Sequence, residues 1–346
     1  MKIEGIGVAL PSREVTNDDV LREIRKESSH FSGDLDGIIA VVRRMLQTSG
    51  SQTRRWKAPE ESSLNLTLQA CRQAMAGLDP DDGKIDCVIC ASVYRELIEP
   101  AGANLIAHSL GLDETRCFDL IEACDGWMTA AEIAASYIES GRYRRVMVVN
   151  GEFVMTRGFG IYPELFRLSS SKQLEWRFPA FTLGEAATAT IFGPDSGNAW
   201  RFNNITRNDL YDRCSITQPW YKPEPGLSPR LAKDKSGLFT SYGADLRKYG
   251  FPIAVEMFKK VFGPEPDVDV LFTHSSSWKD WSDGARDVGL KTALYDLYRP
   301  CGNVVSAAIP AAMTRALEEG RLKRGMKVAA WVASAGMSFS TAAFTF

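Results

Sequence analysis

Cys117-Phe-Asp-Leu-Ile-Glu-Ala-Cys124-Asp-Gly-Trp127 decides how this chain is read. A short apolar run ends at Cys124. Behind it Trp127, Ala130, Ala131, Ala134, Tyr137 and Ile138 recur at helical spacing. The stretch is a strand, a sharp turn and a helix, with a thiol at the turn. The first backbone N–H groups of a helix have no partner within it, and the helix dipole is positive at that end. A cysteine placed there is favoured as thiolate, its nucleophilic form. The competing reading is a small buried cysteine that only packs.

Working outward from this unit, apolar strand-like runs alternate with helical patterns. Strands are expected at 2–10, 85–93, 145–150, 187–192, 200–206, 268–273, 327–335 and 338–346. Helices are expected at 17–26, 63–76, 101–110, 242–261 and 304–318. Such alternation means an α/β protein with a mainly parallel sheet and helices on both faces. The Pro-Asp-Ser-Gly-Asn segment at 194–198 divides the chain into halves, 1–194 and 195–346. Two stretches read as loops, 153–181 and 217–236, the latter with four prolines and three lysines. Connections that long are usually functional covers or disordered segments.

The bulk composition narrows the function. The 346 residues are 45% hydrophobic and 24% charged with a net charge of −2, an ordinary globular balance with no pull towards nucleic acid. The first residues make a poor signal peptide, and no apolar run reaches bilayer length. Seven scattered cysteines argue against a disulfide framework and for a reducing cytoplasm. Cys87 and Cys90 form a CxxC, but residues three apart on a strand point to opposite faces, and no second pair completes a metal site.

Three histidines remain as candidates. His30 lies in a polar loop and His108 on a helix, both structural in reading. His274 follows the strand Val268-Asp-Val-Leu-Phe-Thr, at the carboxyl end where α/β sheets place their sites. Asn303 follows Gly302 ahead of a small-residue helix. It is either a turn and cap or an amide presented to a cleft.

In this setting the chain resembles the β-ketoacyl-acyl-carrier-protein synthase III group of the thiolase superfamily. The likeness is carried by Gly5-Ile-Gly-Val-Ala-Leu-Pro11, Arg54-Arg-Trp-Lys-Ala-Pro-Glu-Glu-Ser-Ser63, the Cys124 stretch and Gly141-Arg-Tyr-Arg-Arg-Val-Met-Val-Val149. It continues through Leu183-Gly-Glu-Ala-Ala-Thr-Ala189, Gly302-Asn-Val-Val-Ser-Ala-Ala-Ile-Pro310 and Gly336-Met-Ser-Phe-Ser340. The resemblance implies a duplicated five-layer α-β-α-β-α fold with mixed, mainly parallel sheets, and a homodimer. The first half would carry the nucleophile and the second the His and Asn of a Cys124, His274, Asn303 triad. It further implies an oxyanion hole at the Cys124 and Ala335 backbone N–H groups. Substrates would arrive as coenzyme A or acyl-carrier-protein thioesters, with no cofactor or metal. An acyl group loaded on Cys124 would condense with a malonyl or acyl thioester to a β-keto product. The alternative is transfer of the acyl group to an alcohol or amine.

This sequence departs from the pattern in places. His274-Ser-Ser-Ser replaces the usual His-Gln-Ala-Asn. Gln52 stands where coenzyme A-primed members carry an Arg. Asp125 follows the nucleophile, where a small residue is usual; it would suit a helix N-terminus, or oppose the thiolate if turned to the sulfur. Ser92-Val-Tyr-Arg-Glu-Leu-Ile-Glu99-Pro100 looks like the long-chain head-to-head condensing enzymes of olefin biosynthesis, as do the 153–181 insertion and Arg321-Leu-Lys-Arg-Gly325. In those enzymes a Glu here reaches the partner subunit's site, which makes Glu99 a candidate base or acyl-pocket residue. Arg142, Arg144, Arg145 and Lys279 are candidate contacts for an acidic carrier protein. A papain-like protease shares the order Cys, His, Asn but lacks this α/β pattern. A non-catalytic partner subunit would have lost the triad.

Overall fold

The computed structural model describes residues 1–78, 83–195, 197, 199–292 and 294–346. Residues 196 and 198 of the dividing segment lie outside them. The first part of the chain runs β1 (Lys2–Ala9), β2 (Arg13–Thr16), α1 (Asn17–Glu27), α2 (Leu35–Ser49), β3 (Thr53–Trp56), α3 (Ser63–Met75), β4 (Cys87–Ala91), α4 (Gly102–Ser109), β5 (Arg116–Leu120), α5 (Gly126–Glu139), β6 (Val146–Glu152), α6 (Leu174–Arg177) and β7 (Ala186–Gly193). The second runs β8 (Arg201–Thr206), β9 (Cys214–Ile216), β10 (Phe239–Ser241), α7 (Gly243–Asp245), α8 (Phe251–Phe262), β11 (Val270–Thr273), α9 (Trp278–Asp287), α10 (Tyr298–Cys301), α11 (Ala308–Glu318), β12 (Lys327–Ala333) and β13 (Ser338–Thr345).

The first sheet has the order β1-β7-β6-β4-β5. β4 is parallel to β5 and β6, while β7 is antiparallel to β6 and β1, so only β7 runs against the rest. The second sheet, β11-β12-β13-β8, repeats the plan with β13 as its reversed strand. Where the first sheet has a fifth strand, the second has a single parallel bridge from Leu271 to Leu294. Both sheets are therefore mixed and mainly parallel.

Between the sheets lie α5 and α11. Ala130, Ala131 and Ala134 of α5 share one core with Ala308, Ala311 and Ala312 of α11, with Ile89 and Val148 of the first sheet and with Phe272 and Val332 of the second. Small side chains let both helices sit close to both sheets. Trp127 fills the remaining volume, and burying a side chain of that size stabilises by roughly 3 kcal/mol. The outer face of the first sheet, including Val88 and Met147, is covered by α3 and α4. That of the second, including Leu271 and Trp331, is covered by α8 and α9. Alternate strand residues thus face two apolar layers, and the strands read as continuous apolar runs. Cys87 and Cys90 fall on opposite faces accordingly.

Three features depart from the expected pattern. α2 and α9 form where no helix was expected; in α2, Ile39, Val42 and Leu46 make a one-sided stripe. The 153–181 stretch is not polar cover. Val154, Met155, Ile161, Leu165 and Phe166 are buried in a core shared with α1 and α2. The helix expected over 242–261 is broken at Leu246–Gly250 by a wider π turn.

Candidate active site

The sheets set the site by their carboxyl ends. β5 delivers the chain to a tight turn over Ala123–Asp125, and α5 starts at Gly126. Ala123 takes a φ of +46°, a left-handed conformation that costs a non-glycine residue on the order of 1–3 kcal/mol. The twist puts Cys124 on the wall of a cavity of about 970 Å³. Most of that wall is apolar, with Val93, Val154, Ile161, Phe178, Ile216 and Phe251 among its residues.

His274, Asn303 and Ala335 line the same cavity. His274 caps β11, and its backbone N–H donates to the Trp331 carbonyl across the sheet at 3.0 Å. It is buried, and burial lowers its pKa to about 4 against an opposing Val305 backbone contact, so the imidazole is neutral at physiological pH. Its Nδ1 is buried without a hydrogen-bond partner.

Asn303 sits in a rigid turn. Gly302 has a φ of +72°, and a Cβ there would lie 2.6 Å from the Thr182 carbonyl oxygen, so only glycine fits. The Asn303 N–H donates to Thr182 and its carbonyl accepts from Gly184, both at 2.9 Å. Its side-chain oxygen accepts from the Val305 N–H at 3.0 Å, which leaves the amide N–H₂ as the group to offer a ligand. Val305 is itself left-handed at φ +52°. The Ser275 hydroxyl, next to His274, accepts from the Val304 N–H at 3.2 Å and ties the two donors' segments together.

The sulfur is less activated than the helix N-terminus suggests. Burial pushes the Cys124 thiol well above its usual value; nearby Cys214, Glu152 and Asp125 push the same way, and the Ser334 hydroxyl only partly opposes them. The resting group is a thiol. Nor does Asp125 cap α5: its side chain makes no cap hydrogen bond and is turned to Ser340 instead.

Glu99 does not line this cavity. It is exposed on the loop after β4, beside Ile98, which is 80% exposed. Arg145 is buried against Glu4 rather than offered to a carrier protein. Arg142 and Arg144 precede β6, at the end of the sheet away from Cys124. Lys279 does line the cavity, with Arg44 and Arg247. His108 is paired with Asp113 at the surface. Among the described residues no cluster of His, Cys, Asp or Glu could hold a metal ion, and no helix is long and apolar enough to cross a membrane.

Two residues near the site escaped the sequence reading. Cys214 on β9 is a second thiol on the cavity wall. Glu152 ends β6, fully buried, and accepts from the Val93 and Tyr94 N–H groups at 3.0 and 3.2 Å and from the Ser306 hydroxyl. Burial raises its pKa to about 7. The available signal was a carboxylate closing the run Val-Met-Val-Val-Asn-Gly-Glu152.

Comparison with known proteins agrees with this fold. A family model for 3-oxoacyl-[acyl-carrier-protein] synthase III matches residues 118–157, and the model for its C-terminal region matches 264–346. The β-ketoacyl-[acyl-carrier-protein] synthase III of Symbiobacterium thermophilum is 27% identical over 332 residues, covering 93% of this chain and 91% of its own. That of Aquifex aeolicus is 25% identical over 331 residues, covering 94% and 92%. The solved Aquifex aeolicus 3-oxoacyl-[acyl-carrier-protein] synthase III superposes with a TM-score of 0.78 at 21% identity over 100% of this chain and 99% of its own. Xanthomonas campestris OleA, solved with bound lauric acid and lauroyl-CoA, superposes with a TM-score of 0.80 at 20% identity over 99% and 98%. Along nearly its whole length this chain is similar to β-ketoacyl-[acyl-carrier-protein] synthase III enzymes, and it is built on the same fold.

Proposed function

We propose that this enzyme loads an acyl group from a thioester onto Cys124 and condenses it with a second, malonyl or acyl, thioester to give a β-keto product. The observation that carries this is the meeting of Cys124, His274 and Asn303, from distant parts of the chain, on one apolar cavity.

The incoming thioester carbonyl lies against the Cys124 and Ala335 N–H groups, and the sulfur attacks it, losing its proton as the first thiol departs with one. The second thioester then places its carbonyl oxygen between the neutral His274 ring and the Asn303 amide. Both donate hydrogen bonds as that oxygen gains enolate charge. Loss of carbon dioxide from a malonyl unit, or transfer of an α-proton from an acyl unit to a base such as Glu99, makes the carbanion, which bonds to the acyl carbonyl carbon and expels the Cys124 sulfur to regain a proton as thiol. Two donors suit an enolate. Transfer to an alcohol or amine needs no enolate and leaves Asn303 without a task.

The cavity volume of about 970 Å³ and its apolar wall suit an acyl chain of medium or greater length. Arg44, Arg247 and Lys279 suit the phosphate of a pantetheine carrier, whether coenzyme A or acyl carrier protein. A homodimer is supported by the edge strand β5, which is unpaired on its outer side, and by Ile98 and Ile121, 80% and 62% exposed near it. Across such a dimer Glu99 would serve the partner's cavity as base or acyl-pocket residue. The seven free cysteines fit the cytoplasm.

The test is intact-mass analysis after incubation with thioesters of increasing length, on coenzyme A and on carrier protein. The reading requires an acyl adduct on Cys124, then carbon dioxide and β-keto product on adding a malonyl thioester, or β-keto product from two acyl units. Ester or amide product alone overturns it.

A further inference from the structure

The nucleophile turn and the oxyanion turn are stitched together by serine hydroxyls and acidic residues. Ser334, next to Ala335, accepts from the Asp125 N–H at 3.2 Å and donates to the Glu122 carbonyl at 3.3 Å. Ser338 donates to the Glu122 carboxylate at 2.7 Å. Ser340 donates to Oδ2 of Asp125. These links join residues more than two hundred positions apart and fix the Cys124 turn against the Ala335 turn. An oxyanion hole made from one N–H of each turn depends on that spacing.

Asp125 is the unusual member. It is only 3% exposed, and its Oδ1 is buried with no partner. The charged groups around it are acidic: Glu122 on the same turn and Glu132 on α5, which is held by Asn204 of β8. β12 and β13 bring the hydroxyls of Ser334, Ser338 and Ser340. Cys124 itself is faced by Glu152 from β6 and Cys214 from β9. Burial first, then the two glutamates, raise the Asp125 pKa to about 7, with Ser340 pulling the other way. Above that pH its negative charge stands one residue from the sulfur.

We infer that Asp125 is a positioning residue with two linked effects: through Ser340 it locks the oxyanion geometry, and through its charge it adds to the burial that holds Cys124 as a thiol. The inference rests on Cys124 being the nucleophile. A resting thiol resists oxidation and stray alkylation, and a bound acyl group carries no charge for Asp125 to repel.

The experiment follows alkylation of Cys124 by iodoacetamide against pH, read by peptide mass, together with steady-state condensation. Asp125→Asn keeps the shape and removes the charge. Its alkylation midpoint should fall by about one pH unit, as expected for losing a nearby like charge. Ser340→Ala removes the tie, and at the alkaline pH where the thiol titrates Asp125 stays charged. Its midpoint should not fall, while kcat drops about tenfold with KM for the loading thioester unchanged. Melting curves show whether each variant is folded. An unchanged or raised midpoint in folded Asp125→Asn overturns the charge effect, and an unchanged kcat in Ser340→Ala overturns the tie. Alkylation needs no turnover. If wild-type Cys124 takes no acyl group the functional reading fails, while the pH profile still tests Asp125.

Discussion

The turn at residues 122–125 and the turn at 302–305 line the same cavity, and they are built on opposite principles. Each holds a left-handed non-glycine residue, Ala123 or Val305, and each leads into a helix between the two sheets. The Cys124 turn is fastened by carboxylates, and its sulfur feels Asp125 and Glu152. The Asn303 turn is fastened by backbone groups and an amide, with no charge in those bonds. One side of the site is thus tuned by protons and the other is fixed whatever the pH. Nucleophilicity must be controlled, whereas hydrogen-bond donors need only stay in place.

Breaking the charged side outright has the largest effect. Cys124→Ala should abolish the acyl adduct in intact-mass spectra and lower turnover by roughly 10⁴-fold or more, as when a nucleophile is removed elsewhere. Breaking the neutral side separates the steps. His274→Ala and Asn303→Ala should each slow condensation by about 10²–10³-fold, the usual loss for one such donor, yet still accumulate acyl-Cys124 in a rapid-quench assay.

The proton-tuned side also predicts a pH signature in stability. Glu152 has a folded pKa of about 7, above its unfolded value, so the folded state holds its proton longer. Its contribution to stability is therefore full at low pH and is lost as pH rises from about 4.5 to about 7. Glu185, also raised to about 7 by burial, acts with the same sign. His274, lowered to about 4, acts in the opposite sense, since the folded state loses stability as pH falls below the unfolded value near 6.5. In melting curves from pH 5 to 8, Glu152→Gln should decline less steeply than the wild type; parallel curves would remove Glu152 from the account. The smallest effect lies outside both turns. Ile121→Asp beside the open β5 edge should shift the light-scattering mass of the proposed homodimer towards that of a monomer, with the fold unchanged by circular dichroism.

The fold was legible where period and burial agree. The alanine spacing after Cys124 marked α5, and the run before His274 marked β11, because a helix between two sheets and a strand covered on both faces leave strong patterns. α2 was missed although Ile39, Val42 and Leu46 lie on one side, because polar and charged residues dilute the stripe. The 153–181 stretch was misread because its apolar residues follow neither period; short 3-10 turns bury them instead. In the site, Cys124 and His274 could be placed at the ends of elements, whereas Asn303 read equally as a turn cap or a cleft amide until the family resemblance singled it out. Glu152 was not, since its three donors come from segments that only the fold brings together. The orientation of Asp125 depended on Ser340, which is 215 residues away.

Ser306 sits three residues beyond Asn303, and its hydroxyl lies within hydrogen-bond distance of the Ala91 carbonyl and of Glu152, at the ends of β4 and β6. One small side chain thus reports whether the late part of the chain has docked on the early part. A chain still emerging from the ribosome would already own its sulfur but lack the donors that make it useful. The proposed condensation therefore waits on that docking, since His274 and Asn303 arrive only with the late part of the chain.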